Sequence, residues 1–194
     1  MTVLRRGVDA RRPVISPDRR SYLYLLQDYV DGKRIGGIPY LAGSAADDHV
    51  GRPLLSREDR VTCPYAGPPA WSPNGDRLAF VCWDGTPQAI GLYLTDGTGH
   101  DLRLVSDDTT LADPTWINEH EFVVVKGADT DSPGVLVSFD ISGSEVEQWT
   151  SGQSGDDSRP DWSPQGGLLF LRAPHGSTAT AILTKRAPGD APTE

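Results

Sequence analysis

Short apolar runs alternate with clusters of turn-forming residues along the chain. Ser21-Tyr22-Leu23-Tyr24-Leu25-Leu26, Arg77-Leu78-Ala79-Phe80-Val81, Glu121-Phe122-Val123-Val124-Val125 and Gly167-Leu168-Leu169-Phe170-Leu171 are rich in β-branched and aromatic residues, which reads as strands. The runs are continuous rather than strictly alternating, as expected of sheets covered on both faces. Each is preceded by a proline-led element: Pro13-Val14-Ile15-Ser16-Pro17, Pro69-Ala70-Trp71-Ser72-Pro73, Pro114-Thr115-Trp116-Ile117-Asn118 and Pro160-Asp161-Trp162-Ser163-Pro164. The leading prolines stand 56, 45 and 46 residues apart, so the chain carries four copies of one unit.

Each copy continues in phase. The second has Ile90-Gly91-Leu92-Tyr93-Leu94-Thr95-Asp96-Gly97 and then Leu102 to Ser106; the third has Val135 to Asp140 and then Glu145 to Thr150. In the first, Ile35 to Gly43 and Arg52 to Ser56 fill the same places, and a polar insertion at 44–50 accounts for the longer spacing. Each copy therefore reads as an antiparallel meander of four short strands joined at Pro, Asn-Gly and Asp-Gly turns. A lone four-stranded sheet cannot bury both faces. Radial stacking does so and leaves only short edges, which predicts an all-β propeller of four blades at about 13–56, 69–106, 114–150 and 160–184.

Pro-x-Trp-Ser-Pro-Asn-Gly at 69–75 and Pro-x-Trp-Ser-Pro-Gln-Gly at 160–166 resemble the TolB-type β-propeller repeat, with its Trp-Ser-Pro-Asp-Gly signature before an apolar strand. The likeness extends over nearly the whole chain. The first copy departs in having Ile15 for Trp and Arg19 for Gly, and the third replaces the turn with Ile117-Asn118-Glu119-His120. These departures bear on turn geometry, because a residue other than glycine takes a positive φ less cheaply. The fourth copy lacks a last strand after 178–184, and the segment 2–6 is expected to complete that blade. Residues 1–187 then form one domain, and 188–194 form a disordered tail. The TolB-type family usually has about six blades, so a closed four-bladed ring stands beside two alternatives: half of a dimeric eight-bladed ring, and a fragment of a longer propeller. The chain is accordingly a monomer or a homodimer.

Charge narrows the partners. With 18 basic and 27 acidic residues the net charge is −9, which argues against a nucleic-acid surface. No apolar stretch approaches a membrane span or the core of a signal peptide, so the chain reads as soluble. Its compartment stays open between the cytoplasm and, if a targeting segment has been removed, the space outside it. Cys63 and Cys82 pair only if the fold joins them in an oxidising compartment; the plainer reading is two unpaired thiols.

The repeat explains most conspicuous residues. Trp71, Trp116 and Trp162 share one register and read as wedges between blades, whereas Trp83 and Trp149 lie outside it and are the better candidates for an exposed contact. Asp107-Asp108 and Asp156-Asp157 precede Pro-x-Trp elements on one expected face, forming an acidic surface for a cationic peptide or a metal. Asp129 and Asp131 most resemble a calcium loop but lack the glycine and distal glutamate of an EF-hand. No cofactor is otherwise indicated. His49, His100, His120 and His175 have no metal-binding spacing. There is no Gly-x-Ser-x-Gly elbow and no phosphate loop. The resemblance implies a non-catalytic module that binds or scaffolds a protein or peptide, including accessory or sensor domains of larger systems. The alternative is a small-ligand or metal-dependent hydrolase or lyase with its site at the central channel.

Overall fold

The computed structural model describes residues 9–43, 51–86, 89–127, 132–175, 177 and 179–193. Four small antiparallel sheets are arranged around a common axis as a four-bladed β-propeller. Blade I comprises β1 (Ala10–Ile15), β2 (Ser21–Val30), β3 (Lys33–Gly43) and β4 (Arg52–Pro53). A one-turn helix, α1 (Asp59–Thr62), leads to blade II, formed by β5 (Tyr65–Ala66), β6 (Ala70–Trp71), β7 (Arg77–Trp83), β8 (Ala89–Asp96) and β9 (Arg103–Ser106). Blade III follows as β10 (Ala112–Trp116), β11 (Glu121–Lys126), β12 (Val135–Asp140) and β13 (Glu145–Gln148). Blade IV holds β14 (Gly155–Ser163), β15 (Gly167–Pro174) and β16 (Ala181–Lys185).

The blades are held by apolar packing of face on face. Leu23 and Leu54 meet Leu78 and Phe80 between blades I and II. Leu92 and Leu94 meet Trp116, Phe122 and Phe139 between II and III, and Val123 and Leu136 meet Leu168, Phe170 and Leu183 between III and IV. In β7 every residue from Leu78 to Cys82 is buried, as a strand sandwiched between two blades must be. The outward faces of the end blades are open instead: Ile15 is 67% exposed and Ile182 62%. The repeat-register tryptophans act as the wedges expected of them, and Trp116 Nε1 donates to the Ala70 carbonyl of the preceding blade at 3.0 Å.

In blades I, II and IV the turn after the inner strand is set by a serine. Ser72 Oγ accepts from the Arg77 amide at 3.0 Å, and the Gly75 amide closes onto the Ser72 carbonyl at 2.9 Å. The first copy keeps this turn without glycine, because Arg19 adopts φ 61° where Gly75 adopts 80°. The third closes differently, through Asn118, whose side chain accepts from the His120 amide at 2.8 Å.

Two features differ from the reading of the sequence. Cys63 and Cys82 are joined as a disulfide with Cα atoms 5.2 Å apart, because α1 drops Cys63 beside the far end of β7. A link closing a sequence separation of 19 residues contributes about 3 kcal/mol. At the C-terminus, the segment read from composition as disordered runs back along β16, where Thr193 and Thr184 exchange backbone hydrogen bonds of 2.7 and 2.9 Å. The strand expected at 2–6 lies outside the described residues, and blade IV has three strands among them.

Candidate functional site

Every inner strand breaks at the residue before its leading proline. The register shifts between Arg11 and Val14 in blade I, between Ala112 and Thr115 in blade III, and between Ser158 and Asp161 in blade IV. In blade II the inner strand divides into β5 and β6. A proline cannot donate to the ladder, so a bulge there re-aims the preceding side chain. Arg12, Asp113 and Arg159 consequently take φ values of 52°, 45° and 52°, while blade II has Pro68 before Pro69. The left-handed conformation costs an ordinary residue on the order of 1–2 kcal/mol.

These pre-proline residues line one cavity of about 630 Å³ to which all four blades contribute. Its walls are apolar, formed by Ile15, Trp71, Trp116 and Trp162 with the repeat prolines, and its charge is gathered at the bulges. The Arg12 guanidinium of blade I stands 4.0 Å from the Asp113 carboxylate of blade III. Arg159 has no ion-pair partner among the described residues. Arg12, Pro68 and Asp113 also border a second cavity of about 450 Å³ between blades I and II, so the two spaces adjoin at these residues. Trp83 walls the second cavity. Gly36, Gly37, Gly67 and Gly85 border it as well, and a Cβ at Gly67 would lie 3.6 Å from Trp83 Nε1. An aromatic wall, buried and half-buried glycines without side chains and a few convergent charges make a binding groove in physical terms.

The acidic turns fare differently. Asp157 is wholly buried and holds Arg172 in a two-point ion pair of 2.6 and 2.8 Å, directly across the β14–β15 ladder. The Asp156 carboxylate accepts from the Gly134 amide. Asp108 accepts from the Thr110 amide at 2.9 Å and its hydroxyl at 2.7 Å, with Lys126 at 4.0 Å. Asp107 stands exposed. Of the four aspartates, Asp157 is thus consumed internally, Asp108 is half-buried, and Asp107 and Asp156 stand exposed. Trp149 is 5% exposed and packs edge-on against Trp162, ring centres 6.1 Å apart, so it is an interblade residue rather than an exposed contact. Trp83 borders the groove beside the channel mouth, and Trp149 borders a separate cavity with Arg172 and Lys185.

The insertion at 44–50 and the calcium candidates Asp129 and Asp131 lie outside the described residues. Among the described residues no group of three or more His, Cys, Asp or Glu side chains could hold a metal ion, and no helix is long and apolar enough to cross a membrane. Sequence reasoning missed Arg12, Asp113 and Arg159. The signal available was the dipeptide at each bulge, Arg12-Pro13, Pro68-Pro69, Asp113-Pro114 and Arg159-Pro160.

No protein-family model matches the chain, and no curated protein matches it. Solved structures do. A putative TolB from Agrobacterium tumefaciens is 22% identical and superposes with a TM-score of 0.74 over 95% of this chain and 61% of that one. TolB from Acinetobacter baumannii gives 15% identity and 0.67 over 95% and 43%. The β-propeller domain of the Trilobed protease from Pyrococcus furiosus gives 12% and 0.58 over 97% and 57%. The chain therefore spans about six-tenths of the Agrobacterium protein and less of the others. Likenesses at these identities establish architecture, and the architecture is that of the TolB-type β-propeller.

Proposed function

We propose that the chain is a non-catalytic module that binds a protein partner by an extended peptide segment, held in the groove that runs from Trp83 to the channel mouth at Arg12, Asp113 and Arg159. The observation that carries this reading is that the two cavities adjoin at Arg12, Pro68 and Asp113. An extended segment spans at most about 3.3–3.6 Å per residue and fits a trough more readily than a closed pocket. The glycines that border the second cavity leave room for a peptide to approach, and Trp83 offers a ring face. The TolB proteins and the peptidase propeller among the structural neighbours support a module of this kind, alone or as an accessory domain of a larger system. The Cys63–Cys82 disulfide favours work in an oxidising compartment.

Selection from a random peptide library against the immobilised chain tests the reading. Selected peptides should bind with micromolar affinity, and Trp83→Ala should weaken them about tenfold while Ile182→Ala, on the open face of blade IV, changes nothing. Recovery of no binder, or of binders indifferent to Trp83→Ala, would refute it.

A further inference from the structure

We propose that the channel mouth is a carboxylate socket: Arg159, assisted by Arg12, receives an acidic side chain or the C-terminal carboxylate of the bound peptide. The inference rests on the peptide-binding reading and specifies the chemistry of its ligand. It runs opposite to the cationic partner that the acidic turns suggested.

Three observations carry it. The first is strain. A bulge before a proline that served geometry alone would be met without cost by glycine, yet two of the four equivalent positions hold arginine at φ 52°. Conformations of this kind persist where a side chain is needed in a particular direction. The second is charge. In a chain of net charge −9, the cavity wall carries two guanidinium groups against Asp113 and Asp161. Asp113 sits with Arg12, and Asp161 accepts from its neighbouring backbone amide on Trp162 at 3.1 Å, whereas Arg159 has no ion-pair partner among the described residues. The third is form. A guanidinium offers a planar fork of donors that matches a carboxylate at two points.

Asp113 then acts as a gate on charge. It holds Arg12 until a competing carboxylate arrives, and it repels part of the incoming charge. Removing it should tighten binding of an acidic ligand. The overall negative charge slows the approach of such a ligand at low ionic strength, but beyond about 10 Å that repulsion is screened in 0.1 M salt, leaving contact at the mouth to decide affinity.

The test uses fluorescein-labelled octapeptides on one shared Ala/Leu/Tyr frame that carry two Glu, two Gln or two Lys near the C-terminus, each made as free acid and as C-terminal amide, read by fluorescence anisotropy. The Glu peptide, or the free acid over its amide, should bind at least tenfold more tightly than the uncharged counterpart. Preference for Glu over Gln in both terminal forms assigns the socket to an acidic side chain; preference confined to free acids assigns it to the terminus. Arg159→Gly should abolish the preference while leaving the melting temperature unchanged or higher, since glycine relieves the strained φ. Asp113→Asn should tighten the acidic peptide three- to tenfold. Equal or tighter binding of the Lys peptide, or a preference untouched by Arg159→Gly, overturns the socket. If Lys peptides bind and Trp83→Ala weakens them, peptide binding stands and the socket falls. If none of the peptides binds, both fall.

Discussion

Two sets of charged residues sit just ahead of the leading prolines of the inner strands, and the fold treats them in opposite ways. The aspartates of the acidic turns lie where backbone amides and basic side chains can reach them. Asp157 is taken by Arg172, Asp156 by the Gly134 amide and Asp108 by Thr110. A few residues on, or at the same bulge, Arg12 and Arg159 are turned into a shared cavity by a backbone that pays for the direction in strain. Carboxylates that satisfy the backbone are structural equipment. Cations held at a conformational cost on a cavity wall, one of them without an ion-pair partner among the described residues, are candidates for a ligand.

That contrast can be broken by mutation, and the largest effect belongs to the buried pair. Asp157→Ala leaves the Arg172 guanidinium without its partner in a nearly dry site, and should cost about 3–5 kcal/mol in denaturant unfolding; a loss under 1 kcal/mol would mean that Asp157 is not structural. Asp108→Ala removes a side-chain cap from one turn and should cost about 1 kcal/mol, with no change in affinity for a bound peptide once the sample is folded.

A smaller, distributed effect follows from the turn aspartates. Hydrogen bonds from the Ser142, Ser16 and Thr86 hydroxyls hold the carboxyls of Asp140, Asp18 and Asp84 below the ordinary carboxylate range. A depressed folded-state pKa contributes stability above the unfolded value, near 4, and loses it as pH falls through the folded value. The melting temperature should therefore be flat from pH 7 to about 5 and decline below about 4. A decline already under way between pH 7 and 6 would point to histidines instead. Smallest of all, Arg12→Gly should shift stability by no more than about 1 kcal/mol, in the stabilising direction if relief of strain outweighs the added freedom of the unfolded chain.

The architecture was legible because it repeats. Trp71, Trp116 and Trp162 recur at one register, and each needs a neighbouring blade to bury its ring, so period and packing give the same answer. The disulfide was not legible, since nothing in the residues around Cys63 states where α1 will place it. Trp149 packs although it lies outside the repeat register, because the interface between blades III and IV recruits it. The site was the least legible part. A pair of adjacent aspartates attracts notice in a sequence, but whether a carboxylate is spent on a backbone amide depends on the partner strand. Arg12 and Arg159 drew no notice, because a charged residue before proline looks like any other loop position until the bulge and its φ are known.

Backbone amide mapping by hydrogen exchange, on the chain saturated with its best acidic peptide, tests the central claim most directly. Protection should rise at 66–71, 112–116 and 159–162 around the mouth and near Trp83 in β7, and remain unchanged at 104–109 and 132–136. Protection concentrated instead at those acidic turns, or on the open face around Ile182 alone, would contradict it.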